Sequence, residues 1–302
     1  MSSSPPAAIA SSSAGPRVLV MTMVQDEADM LPRWIEYYGA QVGRENLLVL
    51  DDNTTDGSTD GLPCPSYRLP PAPWKRDWGR TRLDLVNGLA SGFLACYDVV
   101  VHTDVDEFLL PDPARYAGLR DYLAQREEPV LAPVAVDLLH HAASEPELDP
   151  ERPVLEQRQL VKFVPENCKP LLKRLKAPWG PAFHAVKAPF TIDPELLLVH
   201  LKYYDVSAMR QVAQHRWEAH QHGRGSAGSA WPLGADELTS RLAAWTADAD
   251  RGPVPDFDPA EPDLSAVVRA RPKGFFRSVG RSVDALEQSP LRRLPQRFRH
   301  AV

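Results

Sequence analysis

Val18-Leu19-Val20-Met21-Thr22-Met23 is an apolar run broken by a single threonine. A strand buried on both faces of a parallel sheet has this pattern, because neither of its faces alternates with solvent. Leu31, Trp34, Ile35 and Tyr38 follow at helical spacing, and Pro32 is tolerable there because it falls in the first turn. A second buried strand, Leu47-Leu48-Val49-Leu50, runs into the polar loop Asp51-Asp52-Asn53-Thr54-Thr55-Asp56-Gly57-Ser58. Strand, helix and strand make a βαβ unit. Past a proline-rich passage at 63–73, Leu83, Val86, Ala90, Phe93 and Leu94 mark another amphipathic helix. Val99-Val100-Val101 marks a third buried strand, which ends in Asp104-Val105-Asp106-Glu107. Ligands of open α/β sheets bind beyond the carboxyl ends of the strands, so both acidic loops are expected to open into one crevice.

From about Val130 the pattern loosens into short strands near 160–164 and 196–201, then helices near 206–220 and 236–247. The expected fold class is α/β, a mostly parallel sheet with helices on both faces, followed by a mixed half. Residues 1–16 are Ser, Ala and Pro with too few apolar groups to offset the entropy of ordering, and read as a disordered leader. One domain is expected over 17–250, with a nucleotide-binding half at 17–113 and an acceptor half at 114–250. The stretch 251–302 begins rich in Pro and Asp, turns basic, and reads as a tail.

A net charge of -6 over 302 residues gives no support to wholesale nucleic-acid binding. Cys64, Cys96 and Cys168 are odd in number and far apart, which argues against a disulfide framework or a zinc site and suits a reducing cytoplasm. No segment has the length and apolarity of a membrane span or a secretion signal.

Asp104, Asp106 and Glu107 repel one another unless a cation, protons or solvent compensate. A hard divalent ion, Mg²⁺ or Mn²⁺, does so in the company of a nucleoside diphosphate. A solvated acidic turn is the plain alternative. The loop from Asp52 is not a calcium loop, since its third position is Thr54 and its twelfth is Pro63 where a bidentate Glu is needed. A phosphohydrolase pair of aspartates normally follows the first strand of its sheet, whereas Asp104 and Asp106 follow the third.

Four landmarks in order, 20–29, Trp34-Ile35-Glu36-Tyr37-Tyr38, 50–58 and Thr103-Asp104-Val105-Asp106-Glu107-Phe108-Leu109, resemble the glycosyltransferase family 2 and family 92-like proteins. The resemblance is specific over 17–113 and thinner to about Asp205, where Lys169-Pro170, Gly180, Phe183-His184 and His200-Leu201 are also similar. It implies a GT-A fold, a UDP- or GDP-sugar donor, an acceptor hydroxyl on a glycan, lipid-linked or small molecule, inversion at the anomeric carbon, and a DxD site for Mn²⁺ or Mg²⁺. By matching positions, Thr22 and Asp52 contact the nucleoside, Asp51 supports their loop, Asp104 approaches the ribose, Asp106 coordinates the metal, and Glu107 positions its neighbours or a metal-bound water. Asp26 departs from the family, which usually has Asn there.

His184 and His200 fall in family-like segments and are candidates to act on the metal or the diphosphate. Inversion needs a base for the acceptor proton; Asp137 is the first candidate, with Asp193 and Asp205 behind it. Of Lys75, Arg76, Arg80 and Arg82, one is expected at the diphosphate and the rest on solvated surface, and for Trp74 and Trp78 core packing is preferred over stacking on a base or sugar. In the C-terminal stretch, Phe275, Phe276, Val279, Val283 and Leu286 are read as one apolar face flanked by the basic residues Lys273, Arg277 and Arg281, a candidate for peripheral contact with an anionic membrane at its inner face. The competing readings are a nucleotidyltransferase, which normally carries a Gly-rich basic loop where Gln25-Asp26-Glu27 stands, and a nucleotide-sugar-binding protein without turnover.

Overall fold

The computed structural model describes residues 15–71, 77–221 and 233–302. The leader up to residue 14, together with Trp74, Lys75, Arg76 and His222, lies outside them. In chain order the elements are β1 (Val18–Val24), α1 (Met30–Val42), β2 (Leu47–Asp51), β3 (Ser66–Arg68), α2 (Trp78–Phe93), β4 (Val99–His102), β5 (Glu107–Pro111) and α3 (Leu119–Ala124). They continue with β6 (Val130–Leu139), α4 (Val154–Gln157), β7 (Leu160–Phe163), β8 (Leu172–Lys173), β9 (Ala185–Val186), β10 (Thr191–Tyr203), α5 (Val206–Gln221) and α6 (Ala235–Thr246). The chain closes with β11 (Val268–Arg271), β12 (Phe275–Ser278), α7 (Ser282–Gln288) and β13 (Arg292–Arg293).

The α/β expectation holds, with a large central sheet flanked by helices and a small antiparallel sheet beside it. Strands β4, β1, β2 and β3 are parallel neighbours in that order. β8 joins β4 to β6 by antiparallel pairing, and β10 runs parallel to β6 and antiparallel to β5. The apolar run of β1 is explained by its two faces. Val18, Val20 and Val24 pack with Trp34 and Tyr38 of α1, while Leu19, Met21 and Met23 pack with Leu83, Val86 and Ala90 of α2.

Helix α1 also fixes the acidic turn from beneath. Trp34 and Tyr38, one turn apart and fully buried, donate to Thr103 Oγ1 at 2.9 Å and to the Glu107 carbonyl at 2.9 Å. The Tyr38 hydroxyl in turn accepts the Leu109 N–H at 3.0 Å. Buried polar groups need such partners, so the two aromatic residues hold the backbone on both sides of Asp104-Val105-Asp106.

Residues 251–302 pack onto this body rather than trailing from it. β12 pairs with β11 and β9, β13 pairs with β7, and Lys162 Nζ donates to the Leu286 carbonyl at 2.7 Å. The apolar face expected of one segment is divided: Phe275 and Phe276 lie on a strand, Val283 and Leu286 on a short helix, with Leu286 buried against Leu139 and Leu160. Of the five apolar residues only Leu286 is buried, while Phe275, Phe276, Val279 and Val283 are half-buried. No helix among the described residues is long and apolar enough to cross a membrane.

Candidate functional site

The loops after β1, β2 and β4 lie at one end of the parallel strands, as the βαβ order requires. In the first, Asp26 adopts φ 54°, a left-handed conformation, and its Oδ1 accepts from Thr55 N at 2.6 Å, Thr55 Oγ1 at 3.1 Å and Asp56 N at 3.2 Å. Asp26 thus clamps the β1 loop to the β2 loop. Asn tolerates the left-handed region and keeps the accepting oxygen, so Asp26→Asn is expected to stay within about 0.5 kcal/mol of wild type in urea unfolding. Asp26→Ala loses all three acceptor contacts and is expected to cost about 1–3 kcal/mol. Equal stability of the two variants would show that the clamp contributes nothing.

In the second loop Asp51, 4 % exposed, accepts from Thr54 N at 2.7 Å and Thr59 Oγ1 at 3.0 Å and pairs with Arg68 at 3.2 Å. Asp52 accepts the indole N–H of Trp78 at 2.6 Å. Thr22 is fully buried in mid-strand, on the face of β1 that packs on α1, and its hydroxyl has no partner. It therefore offers no surface to a nucleoside, a departure from its expected role set by strand alternation.

The third loop carries the acidic cluster, and protein cations compensate most of it. Arg82 reaches Asp104 Oδ1 at 2.5 Å, and Lys169 bridges Asp104 Oδ2 at 3.0 Å and Glu107 Oε1 at 2.5 Å. Glu107 Oε2 accepts the Asp104 backbone N–H at 3.0 Å. Glu107 has no exposed surface and both its oxygens are occupied, so it is placed to shape the turn and not to meet a ligand. Burial opposes the charge on Lys169, but Asp104 and Glu107 outweigh it and hold the amine protonated well above its usual range. Arg82 lies between two rings, 5.5 Å from the Trp78 centroid and 5.0 Å from that of Phe183, and its Nε is buried without a partner.

Asp106 faces His200, whose Nε2 lies 3.2 Å from Asp106 Oδ2. Behind it, His200 Nδ1 lies 2.8 Å from Asp137 Oδ1, which also accepts from Asn167 Nδ2 at 3.0 Å. Sheet register builds this row, because His200 of β10 stands opposite Glu107 of β5 on one side and Asp137 of β6 on the other. Burial disfavours the imidazolium, yet Asp106 and Asp137 outweigh it and push His200 up to about 10. Burial would raise the Asp106 carboxyl, but His200 brings it down to about 2.

Asp137 is fully buried at the back of this row, so it cannot reach an acceptor hydroxyl, and the sequence-based choice of base gives way to burial. Asp193 pairs with Arg126 and Tyr122 near the other end of β10, roughly 20 Å away at about 3.3 Å per strand residue. Asp205 accepts from Ala208 N at the start of α5 and lies beside Arg158 and His140. Glu27, on the β1 loop, is pushed up to about 8 by burial and then by Asp106, against the pull of Arg216. His184 Nδ1 lies 2.8 Å from the Glu166 carbonyl, and burial followed by the Lys169 charge brings it down to about 3, so the ring is neutral with Nε2 as its free nitrogen.

Sequence reasoning passed over Lys169, Asn167 and Glu27 as chemistry, and set Trp78 in the core. The one available signal was Lys169 itself, a charged residue between Cys168 and Pro170 in an otherwise buried stretch. Among the described residues no group of three or more His, Cys, Asp or Glu side chains is arranged to hold a metal ion. The expected trio of Asp104, Asp106 and Glu107 is divided by its cations. What remains fits a smaller demand: Asp106 uses one oxygen on His200, and His200 is oriented from behind by Asp137, the arrangement that commonly aligns a histidine ligand.

No protein-family model and no curated protein matches the chain. Among solved structures it is similar to the mannosyltransferase PcManGT from Pyrobaculum calidifontis in complex with GDP-Man and Mn²⁺. That likeness covers 80 % of this chain and 77 % of the other, at 15 % identity and a TM-score of 0.36.

Proposed function

We propose that the chain transfers a sugar from a nucleotide-sugar donor, UDP- or GDP-linked, to an acceptor hydroxyl with the help of Mn²⁺ or Mg²⁺, with inversion at the anomeric carbon. The observation that carries this reading is the division of labour in the acidic turn. Arg82 and Lys169 bring two cations to the turn that would meet the diphosphate, and Asp106, joined by His200 once its Nε2 proton is given up, would form a site that phosphate oxygens complete. Mg²⁺ and Mn²⁺ take one or two protein ligands in such company. When bound, the ion would neutralise charge on the departing diphosphate.

The remaining work belongs to the chain. Arg82, with an unsatisfied Nε–H, and the buried Lys169 stabilise the leaving group. Asp52 and Asp104 face the nucleoside side, and Asp51 keeps their loop in shape. Asp137 is a positioning residue for His200, and neutral His184 stands by with a free Nε2. Glu27 takes over the part of base from Asp137, since it is half-buried on the crevice loop and, among the described residues, forms no side-chain hydrogen bond or ion pair. Any membrane contact of the C-terminal region rests on the exposed Arg269, Arg271 and Lys273 around the β11–β12 turn.

The test is release of UDP or GDP from the corresponding sugar donors, with and without Mn²⁺ and with and without a cell-envelope acceptor extract. Release that depends on both supports transfer. Tight, metal-dependent donor binding with no release under any condition favours a binding protein, and incorporation of a nucleoside triphosphate with pyrophosphate release favours a nucleotidyltransferase.

A further inference from the structure

The pairing of β11 with β12 sets Arg269 opposite Arg277 and Arg271 opposite Phe275, and β12 in turn sets Arg277 opposite Ala185 of β9. Residues opposite one another on antiparallel strands share a face, as do residues two apart along a strand. Arg269, Arg271 and Arg277 therefore stand on one face of the small sheet. Like charges directly opposite one another destabilise a strand pair, so the arrangement works against the fold. Arg277 is relieved by Glu166 Oε1 at 3.2 Å, but Glu166 Oε2 already accepts from Ser282 N at 2.8 Å and Ser282 Oγ at 2.9 Å. Arg269 and Arg271 are exposed, and among the described residues their side chains form no ion pair or hydrogen bond. Lys273, in the turn between the strands, is likewise exposed and sits at φ 63°, a left-handed conformation that Asn or Gly adopts more easily.

This face borders the crevice. Ala185 follows His184, whose Nδ1 lies 2.8 Å from the Glu166 carbonyl. Gly180, in the same loop, is packed so closely that a Cβ there would meet that of Ala185 at 3.0 Å and the Phe275 ring at 3.4 Å. Between them Phe183 lies against Arg82 of the acidic turn. Two strand spacings put Arg269 about 10 Å from Ala185.

We propose that Arg269, Arg271 and Lys273, backed by Arg277, bind a phosphate group, and that this phosphate belongs to the acceptor; the second half rests on the transfer reading above. A phosphate monoester brings about two negative charges and three acceptor oxygens. It can meet two guanidinium groups at once and relieve their repulsion, whereas one carboxylate would leave part of the charge unanswered. The position beside the His184 loop sets such a group at the rim of the crevice, from which the rest of the acceptor reaches inward.

Calorimetric titration of the full chain with glycerol 1-phosphate, and with glycerol as the neutral control, tests this on wild type, Arg269→Glu and Arg82→Gln. Arg269→Glu turns a repulsive cross-strand pair into an attractive one, so Tm is expected to rise by about 1–3 °C while phosphate affinity falls by about tenfold or more. An arginine with only a structural role would not move the two in opposite directions. Arg82→Gln, at the acidic turn, is expected to leave phosphate affinity within about twofold of wild type. Phosphate affinity unchanged in Arg269→Glu overturns the proposal, and a loss confined to Arg82→Gln assigns the anion to the acidic turn instead. Sedimentation with phosphatidylcholine vesicles carrying phosphatidic acid or phosphatidylglycerol separates the sources. Greater retention on phosphatidic acid supports a lipid phosphate, and binding of glycerol 1-phosphate without retention supports a soluble one. Equal retention on both vesicles with no binding of glycerol 1-phosphate makes the face a general membrane contact and overturns the proposal. Phosphate binding that Arg269→Glu abolishes, in a chain that binds neither UDP nor GDP with Mn²⁺, upholds the phosphate site and overturns the transfer reading.

Discussion

Asp106→Asn is expected to lower metal-dependent release of nucleoside diphosphate by at least about 10²–10³-fold, the loss typical of removing one charge-stabilising group from a reacting centre. An Asn preserves shape and one oxygen but gives up the negative charge that a hard cation requires. Asp106 is singled out because its hydrogen-bonding partner among the described residues is His200, on one oxygen, with Arg216 acting on its charge, whereas both oxygens of Asp104 and of Glu107 are already engaged. The substitution also leaves His200 with Asp137 as its one carboxylate partner, so a modest loss of stability is expected alongside, about 1–3 kcal/mol. Turnover and calorimetric binding of Mn²⁺ with UDP or GDP, both at one pH, separate these effects. A folded Asp106→Asn protein that binds metal and nucleotide together as wild type does would leave the turn with no part in the chemistry.

Lys169→Met is expected to be the most damaging single change to the fold at this site, costing about 3–5 kcal/mol in urea unfolding. The lysine side chain is 6 % exposed and, among the described residues, is the cation in direct contact with Glu107, which has no exposed surface at all. Removing the ammonium strands a buried carboxylate, and that penalty exceeds the attraction lost. Adding Glu107→Gln should therefore restore a large part of the stability, while Asp104 keeps Arg82 in both backgrounds. Donor binding is not expected to return in the double variant, because the diphosphate would still lack its lysine. A cost below about 1 kcal/mol for Lys169→Met would place the bridge among exposed pairs of little consequence.

Much of the frame was legible because it depends on short-range pattern. The run at 18–23 is apolar but for Thr22 because alternate side chains enter two different cores, and the helix from Leu31 to Tyr38 shows its inward face at a spacing that any amphipathic helix displays. The same logic located both acidic loops, since a strand that ends in Asp51 or Asp104 ends at the ligand edge of the sheet. The C-terminal stretch misled for the same reason. Alternation over Phe275 and Phe276 and helical spacing over Val283 and Leu286 are each too short to assign, and the pairing of β12 with β9 decided between them.

By itself, then, the sequence determined the βαβ beginning, the crevice beyond its strands and the residues that crowd into it. Which of those carboxylates is open to a ligand was decided by tertiary structure alone. Lys169 meets Asp104 across 65 residues of chain, His200 meets Asp106 across 94, and Asp137 meets His200 across 63. Those meetings are fixed by where β10 sits between β5 and β6 and by which loop passes over the turn. Charge compensation depends on distances of a few ångströms, because the Coulomb energy in a poorly screened interior falls with separation in space and takes no account of separation along the chain.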